Sequence, residues 1–211
     1  MEGLYFVAGA IALIAVAYSF RLCFAQSEKD YSESLQQFAV NHRLAFTPVD
    51  GGSVIRKLSS FPVFNEGRAH KVRNVISGRT AIGEVLIFDH SYMVMRHLLS
   101  QTAAILESPR QRTPNFKLHF ERALFSDHIG IKFSQRPKFS KCYLLEGEDE
   151  AAIRKLFGEK SLMFFETTPG LSLESSNNYL LVYRENNRLD GKDMEEFMKL
   201  CCDISVVLSQ D

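Results

Sequence analysis

Gly3-Leu4-Tyr5-Phe6-Val7-Ala8-Gly9-Ala10-Ile11-Ala12-Leu13-Ile14-Ala15-Val16-Ala17-Tyr18-Ser19-Phe20 holds no charged residue and no proline. A helix needs about 17–25 apolar residues to cross a bilayer core, and this run has that length. Leu22 to Ala25 carry the apolar character past Arg21. The stretch therefore predicts a transmembrane anchor over residues 1–26. Tyr5 and Tyr18 stand near its ends, where aromatic rings favour the membrane–water interface.

Two other readings compete. Cys23-Phe24-Ala25 offers a small-x-small cleavage site, but Met1-Glu2 is acidic and the run exceeds the about 7–15 apolar residues of a signal peptide. Lipoprotein processing at Cys23 is disfavoured by Arg21 just before it. A helix apolar all round can also be buried in a core. Orientation follows from the basic flanks. No Lys or Arg precedes the run, whereas Arg21, Lys29 and Arg43 follow it, which predicts a cytoplasmic C-terminal side. The four cysteines, Cys23, Cys142, Cys201 and Cys202, form no CxxC pair, in keeping with a reduced compartment. The expected location is a cytoplasmic membrane, single-pass, with the soluble domain in the cytoplasm.

Beyond the anchor, about 185 residues suffice for one domain with a real core. Lys+Arg and Asp+Glu are 25 each. That balance argues against a general nucleic-acid binder, which shows a basic excess. With 17 Phe, 7 Tyr and no Trp, the core is expected to be Phe-rich.

Ser27 to Arg43 reads as a helix, capped by Ser27 with Glu28 and Asp30 in its first turn and ended by Pro48 and Gly51-Gly52. It defines a linker over 27–50, leaving 51–211 as the soluble domain. Ser53–Leu58 reads as a short helical turn. From Phe61 the pattern turns to strands: Phe61–Phe64, His70–Ile76, Ala81–Met95 and His97–Leu106. Phe116, Leu118 and Phe120 then alternate with Lys117, His119 and Glu121. Short connections favour an antiparallel meander. Leu124–Arg136 is ambiguous, and Lys141–Glu146 reads as a further strand. Glu148-Asp149-Glu150 opens a helix over Ala151–Phe157, its acids complementing the helix dipole, and Lys160–Thr167 reads as a second. Leu171–Glu174 and Tyr179–Arg184 form a hairpin around a loop of about four residues, Ser175–Asn178. Asp190 and Asp193 resemble a capping box before a helix striped by Met194, Phe197, Cys201, Ile204 and Leu208. The fold class is α+β: a transmembrane helix, then a mainly antiparallel sheet with helices concentrated toward the C-terminus.

Local motifs for chemistry are sparse. In Asp89-His90-Ser91 neighbouring strand residues point to opposite faces, and no GxSxG elbow surrounds Ser91. His90 and His97 lack metal-ligand spacing, and the six histidines are scattered over 42, 70, 90, 97, 119 and 128. Cys142 reads as an inert small hydrophobe. No phosphate-binding glycine loop is present. No catalytic, cofactor-binding or metal residue is therefore assigned, and no cofactor is expected. The remaining candidate is a basic strand, Arg68, His70, Lys71 and Arg73 with Arg79 after it, as a patch for anionic lipid or a protein partner. Its ordinary alternative is a row of charges guarding a strand edge. Arg110-Gln111-Arg112 with Lys117 forms a second basic stretch.

The order of Phe61-Pro62-x-Phe64, Asn74-Val75-Ile76-Ser77-Gly78, Phe88-Asp89-His90-Ser91-Tyr92, Gln101-Thr102-Ala103, Phe116-Lys117-Leu118 and Leu180-Leu181-Val182-Tyr183 resembles a family of uncharacterised bacterial membrane-anchored proteins. The resemblance implies a membrane-tethered α+β domain and no particular substrate. The expectation is a membrane-anchored binding or scaffold module at the membrane surface. The alternative is a membrane-tethered enzyme whose site is assembled from loops. An envelope protein facing outward would follow from the opposite orientation.

Overall fold

The computed structural model of the chain describes residues 2–80, 83–108, 113–121 and 130–210; at 2–12, 14–15 and 210 it describes backbone only. Arg110–Arg112 and part of the ambiguous 124–136 stretch lie outside the described residues.

Helix α1 (Glu2–Asn41) is unbroken over 40 residues. Residues 20–41 contain neither glycine nor proline, so nothing interrupts the helical ladder near Ser27. Among the described residues no helix is long and apolar enough to cross a membrane, and most side chains of Gly3–Phe20 fall outside them. The structure thus does not confirm the transmembrane span. Helix α1 ends at Asn41, and Arg43 adopts a left-handed φ of 56° while Leu44 N–H returns to the Ala39 carbonyl at 2.8 Å. That closure is typical of a helix C-terminus. Within the expected linker the chain then forms a strand, β1 (Ala45–Val49), which pairs with the next.

Helix α2 (Ser53–Leu58) follows as expected. Phe61–Phe64 is not a strand: Pro62–Asn65 form a 3₁₀ turn with proline at its start, where the missing N–H costs nothing. Strands β2 (Arg68–Thr80), β3 (Gly83–Val94) and β4 (His97–Glu107) continue the antiparallel meander. Thereafter come β5 (Phe116–Phe120), α3 (Pro137–Cys142), β6 (Tyr143–Glu146), α4 (Glu150–Leu156), α5 (Glu159–Thr167), β7 (Ser172–Ser176), β8 (Tyr179–Tyr183) and α6 (Met194–Gln210). The sheet order is β1-β2-β3-β4-β8-β7-β5-β6. The meander therefore stops at β4, whose neighbour is β8, with Ala103 opposite Tyr183.

Local chemistry explains several elements. Asp149 caps α4 by accepting from Ala152 N–H at 2.9 Å, and Glu150 pairs with Arg154, so the acidic run is a helix start. The β7–β8 connection is tighter than expected. Ser176 faces Tyr179, and Asn177 and Asn178 make the turn with φ of 50° and 64°, a backbone that asparagine tolerates and that two-residue hairpin turns need. Asp190 forms a local turn onto Lys192 N–H at 3.1 Å instead of capping α6. Cys142 is exposed at the end of α3 rather than packed in a strand.

The sheet buries two faces. On one, Leu35, Phe38 and Ala39 of α1 and the α4, α5 and α6 stripes cover Ile76, Ile87, Ala104, Leu118, Leu173 and Val182. The expected α6 stripe, Met194 to Leu208, is buried throughout. Phe139 is its aromatic centre, stacked on Tyr143 at 5.1 Å and near Phe133, Phe157 and Phe165. The other face is covered by α2 and the 3₁₀ turn, through Val54, Leu58, Phe61 and Val63.

Removing a buried phenyl ring leaves a cavity as well as lost burial, at a cost of about 3–5 kcal/mol. Phe139→Ala should lower the unfolding free energy by that amount in urea titrations of the detergent-solubilised chain. A loss below about 1 kcal/mol would contradict Phe139 as the core's centre.

Candidate functional site: the cleft beneath the N-terminal helix

Two irregularities in β2 build this site. The pairing register slips between Arg68 and Lys71 and again between Arg73 and Ile76, where Ala69 and Asn74 take left-handed φ of 57° and 49°. Each is an extra residue in one strand, a bulge. The first returns Arg68 to the face of Lys71 and Arg73, opposite Met93, Ser91 and Asp89. The second turns Asn74 toward Asp89 and restores Ile76 to the core.

Asp89 is buried under α1 and saturated by donors. Its Oδ1 accepts from the Tyr31 hydroxyl at 3.0 Å and the Thr102 hydroxyl at 3.1 Å. Its Oδ2 accepts from the Asn74 amide at 2.9 Å and from Arg188 at 3.3 Å. Arg188 also forks onto Glu28 of α1 at 2.8 and 3.2 Å, and its guanidinium lies 4.0 Å from the Tyr31 ring centre. Ser32 donates to Asn74 Oδ1 at 2.9 Å, and Thr102 Oγ1 accepts from Leu189 N–H at 2.9 Å. The Arg188 hydrogen bond holds the Glu28 carboxyl below the usual carboxylate range. Burial opposes the Arg188 charge, but Glu28 and Asp89 outweigh it and raise its pKa. Burial, then Asp89, pushes the Tyr31 phenol up. The network latches the C-terminal half of α1 to the domain.

Beside the latch, between α1 and the sheet, lies a cleft of about 280 Å³, lined by Phe24, Lys71, Arg73, Met93 and Leu98 and by the latch residues Glu28, Asp89 and Arg188. Arg188 is already held by Glu28 and Asp89, so Lys71 and Arg73 are the cations left beside the apolar side chains. Such a surface suits an anionic group carried on an apolar body.

The opposite face holds a second polar layer. His70 Nδ1 and His90 Nε2 lie 2.9 Å apart, and both rings stack with Tyr92. Glu174 is fully buried, accepting from Val63 N–H at 3.0 Å and the Tyr183 hydroxyl at 2.9 Å. Lys117 pairs with Glu66 at the margin, and Glu66 keeps the ammonium pKa above its ordinary value although burial opposes it. Among the described residues, both amide atoms of buried Gln101 find no hydrogen-bond partner. Both Glu174 oxygens are occupied by fixed donors, so the layer is built as a polar core.

The expected basic patch is therefore divided. Arg68, Lys71 and Arg73 share the α1 face, His70 joins the opposite layer, and Arg79 lines a separate cleft with Lys57, Glu84 and Tyr179. Asp89 and His90 face opposite ways, so Asp89-His90-Ser91 does not assemble into a site. His119 lies 3.1 Å from Glu185 on the face away from Asp89. Glu28, Tyr31, Asn74, Thr102 and Arg188 escaped the sequence reading. They come from four separate stretches, and no local spacing joins them.

Asp89→Ala would remove the shared acceptor of Tyr31, Asn74 and Thr102 and leave the half-buried Arg188 with Glu28 alone, at a cost of about 1–3 kcal/mol. Urea titration should show that loss, and limited proteolysis should open α1 around Gln26–Glu33. Unchanged protection of that segment would refute the latch.

The second layer has opposite pH limbs. Burial pushes Glu174 up to about 7 from 4.5; its stability contribution is complete below about 4.5 and lost as pH rises toward 7. Burial, then His70, pushes His90 down to about 3 from 6.5; its contribution is complete above about 6.5 and lost as pH falls toward 3. The limbs overlap and offset one another between about pH 4.5 and 6.5, so thermal stability should be highest there and fall on either side. Glu174→Gln should recover about 2–4 kcal/mol on the alkaline side. An unchanged alkaline limb in the variant would overturn this origin.

No protein-family model matches the chain, and no curated protein does. Among solved structures, the fold is similar to that of the mycobacterial trehalose monomycolate transport factor A, TtfA, with a TM-score of 0.61 at 12% identity, covering 84% of this chain and 94% of that one. At that identity the likeness is one of fold.

Proposed function

We propose that this chain is a membrane-anchored binding or scaffold module of the bacterial cell envelope, accessory to transport rather than catalytic. The observation that carries the reading is the division of α1. Its C-terminal half is latched into the domain. N-terminal to the latch, Leu13, Val16, Tyr18, Phe20, Leu22 and Phe24 are all exposed. A row of exposed apolar residues on a projecting helix calls for an apolar cover, and the charge-free run of Gly3–Phe20 has the length of a bilayer span. The latch then holds the domain at a set height and rotation above the membrane. The basic flank of Arg21, Lys29 and Arg43 favours a cytoplasmic domain. Arg68, Lys71 and Arg73 are presented beside the helix to anionic headgroups or an acidic partner. The transport role is drawn from TtfA, a transport factor of similar fold, and from no shared residue.

Two measurements test the proposal. After lysis and alkaline carbonate washing, the full-length chain should remain with membranes; recovery in the soluble fraction would overturn the anchor. In spheroplasts carrying Cys23→Ser, exposed Cys142 should react with an impermeant maleimide only after permeabilisation. Labelling without permeabilisation would overturn the cytoplasmic assignment.

A further inference from the structure

The tip of the β3–β4 hairpin is built against the ordinary rules of turns. Val94 pairs with His97, so Met95 and Arg96 make the turn. Met95 takes a left-handed φ of 54°, where glycine or asparagine is the usual choice. It is 84% exposed, and Leu98 beside it is 66% exposed. Neither side chain serves the core. Arg96 and His97 at the tip are exposed too, as is Arg68 opposite Met93. Among the described residues none of Arg68, Lys71 and Arg96 enters an ion pair. In a chain of zero net charge, apolar tips ringed by free cations are a local concentration.

The tip's height follows from two contacts. Asp89 meets Tyr31 at 3.0 Å, and Met93 and Leu98 share a cleft with Phe24. Strand β3 therefore advances as α1 retreats toward its N-terminus. From Asp89 to Met95 is about 20 Å at 3.3 Å per residue. The same distance along α1 is about 13 residues at 1.5 Å each, which leads from Tyr31 to Tyr18. Tyr18 and Arg21 mark the C-terminal boundary of the apolar run.

We propose that the β3–β4 hairpin tip is a second membrane contact, with Met95 and Leu98 dipping into the interface of an anionic bilayer and Arg68, Lys71 and Arg96 meeting its phosphates. This deepens the membrane-anchored reading and rests on it. Hairpin and helix are tied through Asp89, so two points of contact orient the domain on the surface. The cleft between them, with Met93 and Leu98 at one end and Arg73 opposite Asp89 at the other, lies on the domain side of that contact.

The chain has no tryptophan, so one can be introduced as the only reporter. The full-length chain carrying Met95→Trp would be reconstituted into vesicles of phosphatidylcholine with phosphatidylglycerol. Met163→Trp on α5, an exposed position, serves as the reference. The Met95→Trp emission should shift to the blue and lose most of its intensity when brominated lipid is included, while Met163→Trp stays unquenched and open to acrylamide. Adding Arg68→Glu and Lys71→Glu should weaken the quenching. A carbonate-resistant chain whose Met95→Trp is as open to acrylamide as Met163→Trp would overturn the hairpin contact and leave the anchor standing. A chain that floats free of the vesicles would overturn both. Equal quenching in pure phosphatidylcholine would overturn the role of the cations.

Discussion

A carboxylate buried under a helix must be matched on every lone pair, and Asp89 sets that condition for the whole α1 side of this protein. Its four donors come from α1, β2, β4 and the segment before α6. Satisfying it requires the bulge that turns Asn74 inward, the placement of Thr102 across the ladder, and the return of Arg188 over the Tyr31 ring. Arg188 then needs a second anion, which Glu28 supplies from α1. Because an unmatched buried charge is so costly, these demands are met together, and the direction in which α1 leaves the domain follows from them.

The two faces of the sheet solve the burial problem differently. Under α1, α4, α5 and α6 the core is apolar and dense in phenylalanine, with Phe139 at its centre. Beneath α2 and the 3₁₀ turn, apolar packing gives way to His70, His90, Gln101 and Glu174. That layer depends on protonation state, because the low-dielectric interior disfavours the charged forms of both His90 and Glu174. The same strands carry both faces, so each residue step in β3 alternates between the latch and the polar layer.

Much of the architecture was legible along the chain. Alternation marked β5, acids marked the start of α4, and the spacing of Met194, Phe197, Cys201, Ile204 and Leu208 marked the buried side of α6. Local rules also misled where a neighbour in space decided. Phe61–Phe64 had strand composition, but Pro62 and the contact of Val63 with Glu174 made it a turn. The basic strand looked like one patch, yet pleating put His70 behind it and strand length carried Arg79 to another cleft. The bulges at Ala69 and Asn74 leave no clear trace in hydrophobic pattern.

The amino-acid sequence by itself determined the α+β class, an N-terminal apolar run followed by helical sequence, and many of the residues that must be buried. These follow from periodicity and side-chain polarity, which are properties of neighbours along the chain. Tertiary structure alone decided that β8 lies beside β4, that Glu28, Tyr31, Asn74, Asp89, Thr102 and Arg188 form one network, and that Met93 and Leu98 of the β3–β4 hairpin share a cleft with Phe24. Those arrangements join residues as far apart as Glu28 and Arg188. Their energy comes from matching buried charge and shape across the sheet, and no local spacing records it.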